Sequence, residues 1–319
     1  MILPQMEEAW AFLDETEGDI VLTTHINGDG DALGACLGLR RLLRQRGRQA
    51  TVLVPDGPDP HYGFLPDFDC ICLLENWSGG DLDRLVVLDC PTLERAGGVG
   101  QLLRPGGAVL SIDHHADNQH FGRVNIVSDQ ASSASELVYH LAVAGTVSVD
   151  AETAAQLYLG ILFDTGGFRF SLTTPTTLEV AAELVRAGAR LDWLAEQLFG
   201  NKSLGSVKLV GRAIDSLQLH CQGRVAVLHL GWDDLRLGDA EDIVNYGMAI
   251  KGVVATLLLK EEEPGRYRVS LRSREGVDVS QVARCFGGGG HVRASGCRIA
   301  GPRNKVEGDL LDEMRRHLD

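Results

Sequence analysis

The chain has 319 residues, 44% hydrophobic and 23% charged, with 30 Lys/Arg against 44 Asp/Glu and a net charge of −14. That length makes about two domains, each able to bury its own core, and the composition excludes a disordered or collagen-like chain. So acidic a chain is also a poor match for a protein that grips long nucleic acid by its phosphates, because that binding runs on basic side chains and counterion release.

The opening segment MILPQMEEAWAFLDE carries acids early and has no basic stretch. It reads as an amphipathic helix and not as a secretory signal. DIVLTT (19–24) is a short strand-like run. ALGACLGLRRLLRQRG (32–47) sets Leu33, Leu37, Leu39, Leu42 and Leu43 near one helical face, with Gly47 suited to its C-terminal end. QATVLVP (49–55), RLVVLD (84–89) and AVLSID (108–113) read as buried strands. Ser133 with Glu136 makes a capping-box pattern for a helix near 133–144. AETAAQLYLGILF (151–163) reads as a buried helix, and Pro175 opens another over 175–187. Strands alternating with helices predict an α/β domain with a parallel, doubly wound sheet.

Gly, Asn and Ser breaks beside a short apolar helix place a boundary in the following stretch. The expected division is 1–188, a linker over 189–206, and 207–319. In the last part, strands are expected at 225–230, 253–259 and 267–272, and helices near 239–249, 278–285 and 304–317. That pattern predicts a smaller α+β domain. Residues 1–205 hold 13 basic and 28 acidic residues, against 17 and 16 in 206–319, so the second part is the better place to look for a phosphate grip. No run reaches about 18 apolar residues, so no membrane-spanning helix is expected. The seven cysteines form no CxxC pair. They are expected to be reduced thiols of a cytoplasmic protein, without a structural zinc.

The most informative segment is His25-Ile-Asn-Gly-Asp29-Gly-Asp31-Ala. It follows a strand and opens a helix, which is where doubly wound sheets bind ligands. Asp29 and Asp31 also fit as turn or cap residues. Asp89 ends RLVVLD, Asp113-His114-His115 ends AVLSID, and Asp164 follows a long apolar run. Together His25, Asp29, Asp31, Asp89, His114 and Asp164 are four carboxylates and two imidazoles. Mixed oxygen and imidazole ligation suits Mn²⁺ best, ahead of Mg²⁺ or Co²⁺. Six ligands are too many for one catalytic ion and fit two ions sharing a carboxylate.

These motifs resemble, in order, the four motifs of the DHH phosphoesterase superfamily. Phe286 followed by Gly287 to Gly290, then His291-Val-Arg293-Ala-Ser-Gly296, looks like the hallmark of the associated DHHA1 domain, and Val269 to Arg274 is similar to its other recurring segment. The resemblance spans about residues 20–297 and is greatest to the NrnA-like group. It implies a DHH catalytic domain and a DHHA1 substrate-binding domain with the active site in the cleft between them. It assigns His25 and Asp29 to a first Mn²⁺ and Asp31, His114 and Asp164 to a second, with Asp89 bridging. Asp89, Asp113 and His115 are the catalytic candidates: Asp113 orients, and His115 protonates the leaving oxygen. Gly167 after the DTG sequence and Ser295 in Ala-Ser-Gly are small departures from the family pattern.

Consecutive glycine N–H groups can form an anion nest. Arg272 and Arg274 alternate along a strand and can meet a terminal phosphate, and His291 and Arg293 add charge beside the nest. The substrate-binding candidates are Arg272, Ser273, Gly288, Gly289, Gly290, His291 and Arg293. The expected substrates are small and gripped at one end: short RNA, linear dinucleotides such as pApA, and pAp. Long duplex nucleic acid and membrane partners are not expected, and the family suggests a homodimer. A cyclic di-AMP phosphodiesterase is the alternative enzyme, and a non-catalytic nucleotide-binding regulator the alternative of another class.

Overall fold

The computed structural model describes residues 4–16, 18–238, 240 and 243–318. They form two units, one through Asn201 and the other from Lys202. In the first, α1 (Gln5–Glu15) leads to β1 (Ile20–Thr23), α2 (Gly30–Gln45), β2 (Ala50–Val54), β3 (Cys72–Leu73) and β4 (Leu82–Leu88). A single turn, α3 (Gly97–Gly100), precedes β5 (Leu103–Asp113) and β6 (Val124–Val127). Then come α4 (Ala134–Ala144), α5 (Ala151–Asp164), α6 (Pro175–Arg186) and α7 (Leu191–Ala195). Among the described residues the strand order is β3-β2-β1-β4-β5-β6, and every pairing is parallel.

The order explains the apolar runs. Ile20 and Leu22 of β1 join one core with Leu33 and Leu37 of α2 and Leu157 of α5, while Val21 joins Leu53, Leu85 and Val87 on the other side. A parallel sheet covered on both faces needs apolar residues at successive positions, not alternate ones. The chain winds outward from β1 in both directions, so β1 and β4 flank the switch point where such sheets bind ligands beyond their carboxyl ends.

The helix starts follow local chemistry. The Asp29 carboxylate caps α2, and Thr174 with Thr177 forms a reciprocal box at α6, whose first turn holds Pro175. The box expected at α4 forms by half. Ser133 Oγ accepts the Glu136 N–H, but Glu136 Oε2 accepts from Ser132 N instead of returning to Ser133. Helix α5 runs to Asp164, so this candidate ligand is the last helical residue and not a loop residue.

The second unit contains α8 (Leu204–Asp215), β7 (Gln218–His220), β8 (Val225–Leu230), α9 (Val244–Met248), β9 (Ala255–Glu263) and β10 (Arg266–Ser273). It continues with α10 (Val279–Cys285), β11 (Gly289–His291), β12 (Ala294–Ala300) and α11 (Arg303–Arg315). The order is β11-β12-β10-β9-β8-β7, with β8 and β9 parallel and the other pairs antiparallel. Its own core includes Val225, Leu257, Val269, Val282, Leu310 and Met314. Of the helix expected near 239–249, α9 is the described part; residues 239, 241 and 242 lie outside the described residues. The stretch 189–206 holds α7, a π-helical turn (Glu196–Gly200) and the start of α8. No described helix is long and apolar enough to cross a membrane.

Candidate active site

Parallel strands end at one edge, and that edge collects the acids and histidines. His25 lies two residues beyond β1, Asp89 one beyond β4, and His114 and His115 directly beyond β5. Asp29 and Asp31 open α2, and Asp164 closes α5. Two ligand groups result: His25 with Asp29 and Asp89, and Asp31 with His114 and Asp164, the ligand atoms of each lying within 4.8 Å of one another.

Asp89 faces both groups. Its Oδ2 is 3.4 Å from His25 Nε2, and its Oδ1 is 3.5 Å from His114 Nε2. His25 Nε2 is 3.9 Å from Asp29 Oδ2, and His114 Nε2 is 3.1 Å from Asp164 Oδ2. The Asp89 backbone is left-handed, with φ +54°, and its N–H donates to Ile112 O at 2.9 Å. A non-glycine residue in that region is uncommon, and such backbone clusters at functional sites.

The donor set fits divalent ions. The His25 Nδ1–H donates to the Ile26 carbonyl at 2.9 Å, which turns Nε2 toward Asp29 and Asp89. A ring held by one nitrogen and presenting the other is how histidine ligates metal. Asp89 Oδ1 and Asp164 Oδ2 are buried and face the His114 ring, at 3.5 and 3.1 Å from its Nε2. Buried carboxylate oxygens in that state call for a cation.

The proton affinities tell the same story. Burial raises the pKa of Asp29 to about 6, with Asp89 adding to the rise. Burial, then Asp164 and Asp89, push Asp31 well above the usual carboxylate range. Burial opposes charge on Asp89 too, but His114 and His25 hold its pKa well below normal. Burial also works against charged His25 and His114. For His25 the carboxylates of Asp89 and Asp29 outweigh it and raise the pKa to about 9, and for His114 those of Asp164 and Asp89 do the same.

Asp89, Asp113 and His115 make a third close group. Here both Asp113 oxygens are engaged within the protein. Oδ1 accepts from His114 N at 2.9 Å and lies 2.8 Å from His115 Nδ1, and Oδ2 accepts from Asn118 Nδ2 at 2.6 Å. Asp113 therefore orients its neighbours. Asn118 is absent from the residues singled out by sequence. It is buried, and its amide also donates to Cys90 O at 3.1 Å. Its signal was a polar side chain five residues after Asp113, easily read as a turn.

In the second unit, Ala294 of β12 pairs with Arg272 on one side and His291 on the other. Directly paired residues share a sheet face, so Arg272 and His291 project alike. Ser273 Oγ donates to Val277 O at 2.6 Å, and Arg293 O accepts from Ser273 N at 3.1 Å. Arg274 bonds the Val253 and Met248 carbonyls, a structural use. The N–H groups of Gly287 and Gly288 bond the Arg284 and Ala283 carbonyls and close α10. A side chain at Gly288 would overlap the Gly296 carbonyl, so this glycine serves close packing. Gly289 and Gly290 belong to β11, so the expected four-glycine nest is divided between a helix end and a strand.

Residues 19–161 match the DHH family, N-terminal domain, and residues 222–318 match the DHHA1 domain. The chain is 36% identical over 309 residues to the bifunctional oligoribonuclease and PAP phosphatase NrnA of Thermus thermophilus, covering 96% of this chain and 92% of that protein. It is 31% identical over 288 residues to the protein of the same name from Bacillus subtilis, covering 88% and 89%. The solved structure of an exopolyphosphatase-related protein from Bacteroides fragilis has a TM-score of 0.88 at 24% identity, covering 98% of this chain and 96% of that one, and shares the fold.

Proposed function

The chain belongs to the DHH family, and from that premise we propose that it is a metal-dependent phosphoesterase acting on short oligoribonucleotides and pAp. The products are nucleoside 5′-monophosphates and, from pAp, inorganic phosphate. The observation that carries the reading is Asp89, which presents one oxygen to each of two ligand groups. Relatives named for oligoribonuclease and PAP phosphatase activity along nearly the whole chain support the substrate class.

His25 and Asp29 would hold one ion, and Asp31, His114 and Asp164 the other, with Asp89 shared. Mn²⁺ suits this donor mixture, with Mg²⁺ or Co²⁺ as substitutes. Such a pair supplies Lewis acidity toward water and offsets charge on phosphate oxygens. With its Nδ1–H held by the Asp113 carboxylate, a His115 imidazolium would give its Nε2 proton to the leaving oxygen. Asn118 keeps Asp113 in place for that task. Arg272, His291 and Arg293, with Ser273, Gly289 and Gly290, form the proposed phosphate grip, and Gly288 shapes it. We place the enzyme in the cytoplasm, in keeping with seven free cysteines, and take its assembly to be the homodimer that the family resemblance suggests.

The test is a Mn²⁺-supplemented hydrolysis panel of pApA, a short RNA, a longer RNA, pAp and cyclic di-AMP, each with an EDTA control. Rapid, chelator-sensitive release from pApA, short RNA and pAp, with little from the longer RNA, is the expected result. Preference for cyclic di-AMP would replace this substrate class, and silence on every substrate would refute the enzyme reading.

A further inference from the structure

We propose that the start of α4, together with the bare backbone of Gly160, is the positioning device for Asp31. The inference rests on the two-metal reading and extends it to residues that ligate nothing. Asp31 is wholly buried. Its two oxygens accept consecutive backbone N–H groups from a distant segment: Ala134 N donates to Oδ2 at 2.6 Å and Ser135 N to Oδ1 at 2.9 Å. Two donors on two oxygens set the plane of the carboxylate, and a helix start favours negative charge there. Each oxygen keeps a further lone pair for a metal beside His114 and Asp164.

Gly160 makes the seat possible. It lies on α5, one turn before Asp164. A methyl group on its Cα would overlap Ser135 Oγ and Asp31 Oδ1. The α4 start is itself anchored from below. Glu136, wholly buried, accepts at Oε2 from Ser132 N at 3.1 Å, Ser132 Oγ at 2.6 Å and Thr177 Oγ1 of α6 at 2.9 Å. Contacts thus run from α6 through Glu136 to the turn that holds Asp31. These contacts reach Asp31, in the group with His114 and Asp164, and not His25, Asp29 or Asp89.

Mn²⁺ binding by the full chain, followed by electron paramagnetic resonance and calorimetric titration, tests the idea independently of turnover. The wild type is expected to hold two ions. Folded Gly160→Ala is expected to keep one at wild-type affinity and to bind the other roughly 10- to 100-fold more weakly, the range seen when a ligand loses its outer support. Two ions at unchanged affinity, or equal loss at both, would overturn the inference. A wild type that binds no ion would instead sink the two-metal reading. Should Gly160→Ala fail to fold, Ser132→Ala removes one donor to Glu136. It is expected to show the same one-sided loss on a smaller scale; equal weakening or none refutes the proposal.

Discussion

Asp89 is the side chain that faces both proposed ligand groups. It is buried, its backbone is left-handed, and its oxygens point at two different histidines. Asp89→Ala removes the shared carboxylate and is expected to cut turnover by roughly 10²–10³ or more while circular dichroism stays native. Near wild-type turnover would refute the shared-ligand assignment. Protons and metal compete for the same atoms. In the metal-free protein, the raised pKa of His25 stabilises the fold fully below 6.5, and this contribution is lost as pH rises through about 9. Asp29, raised to about 6, holds a proton that an ion must displace over the lower part of the range. Mn²⁺ affinity is therefore expected to climb as pH rises through about 6, where Asp29 loses its proton, and on to about 9, where His25 does, by up to about tenfold per pH unit for each proton released. Calorimetric titration at several pH values checks this, and a flat dissociation constant would contradict it.

Helix starts organise the edge of the sheet. α2 begins on a candidate ligand, since Asp29 Oδ1 accepts from Asp31 N and Ala32 N, both at 3.1 Å. The cap reading and the ligand reading of Asp29 both hold geometrically, because Oδ2 faces His25 while Oδ1 caps. α4 begins on Ser133, whose hydroxyl accepts the Glu136 N–H at 3.0 Å. Ser133→Ala is expected to cost about 1 kcal/mol, an N-cap's usual contribution. In a unit of this size that lowers the melting midpoint by about 2–4 °C. A thermal melt of the purified variant reads this directly, and an unchanged midpoint would show that the cap is replaced by another acceptor.

At the level of the whole molecule, the two units carry separate cores and unequal charge. Every proposed metal ligand lies in the first. Excess Mn²⁺ is expected to stabilise that unit by about 2.7 kcal/mol for each ion held, at a hundred times that ion's dissociation constant. It should leave the second unit's unfolding transition where it was. Differential scanning calorimetry with and without Mn²⁺ resolves this, and a shift confined to the second transition would relocate the metal. The amino-acid sequence by itself determined the alternation of strands and helices, the acids and histidines at strand ends, and their order along the chain. Those are local facts, written in apolar runs and in the residue that follows each run. β12 escaped that reading because Ala294–Ala300 is glycine-containing and weakly patterned, and it becomes a strand by pairing along β10. Only the tertiary structure decided that Asp89 faces two histidines, that Asn118 holds Asp113, and that Asp31 is gripped by a helix start a hundred residues away. It also decided that Gly287 and Gly288 close a helix. Each of these turns on which way a side chain or N–H points after packing, and that direction is set by neighbours distant along the chain.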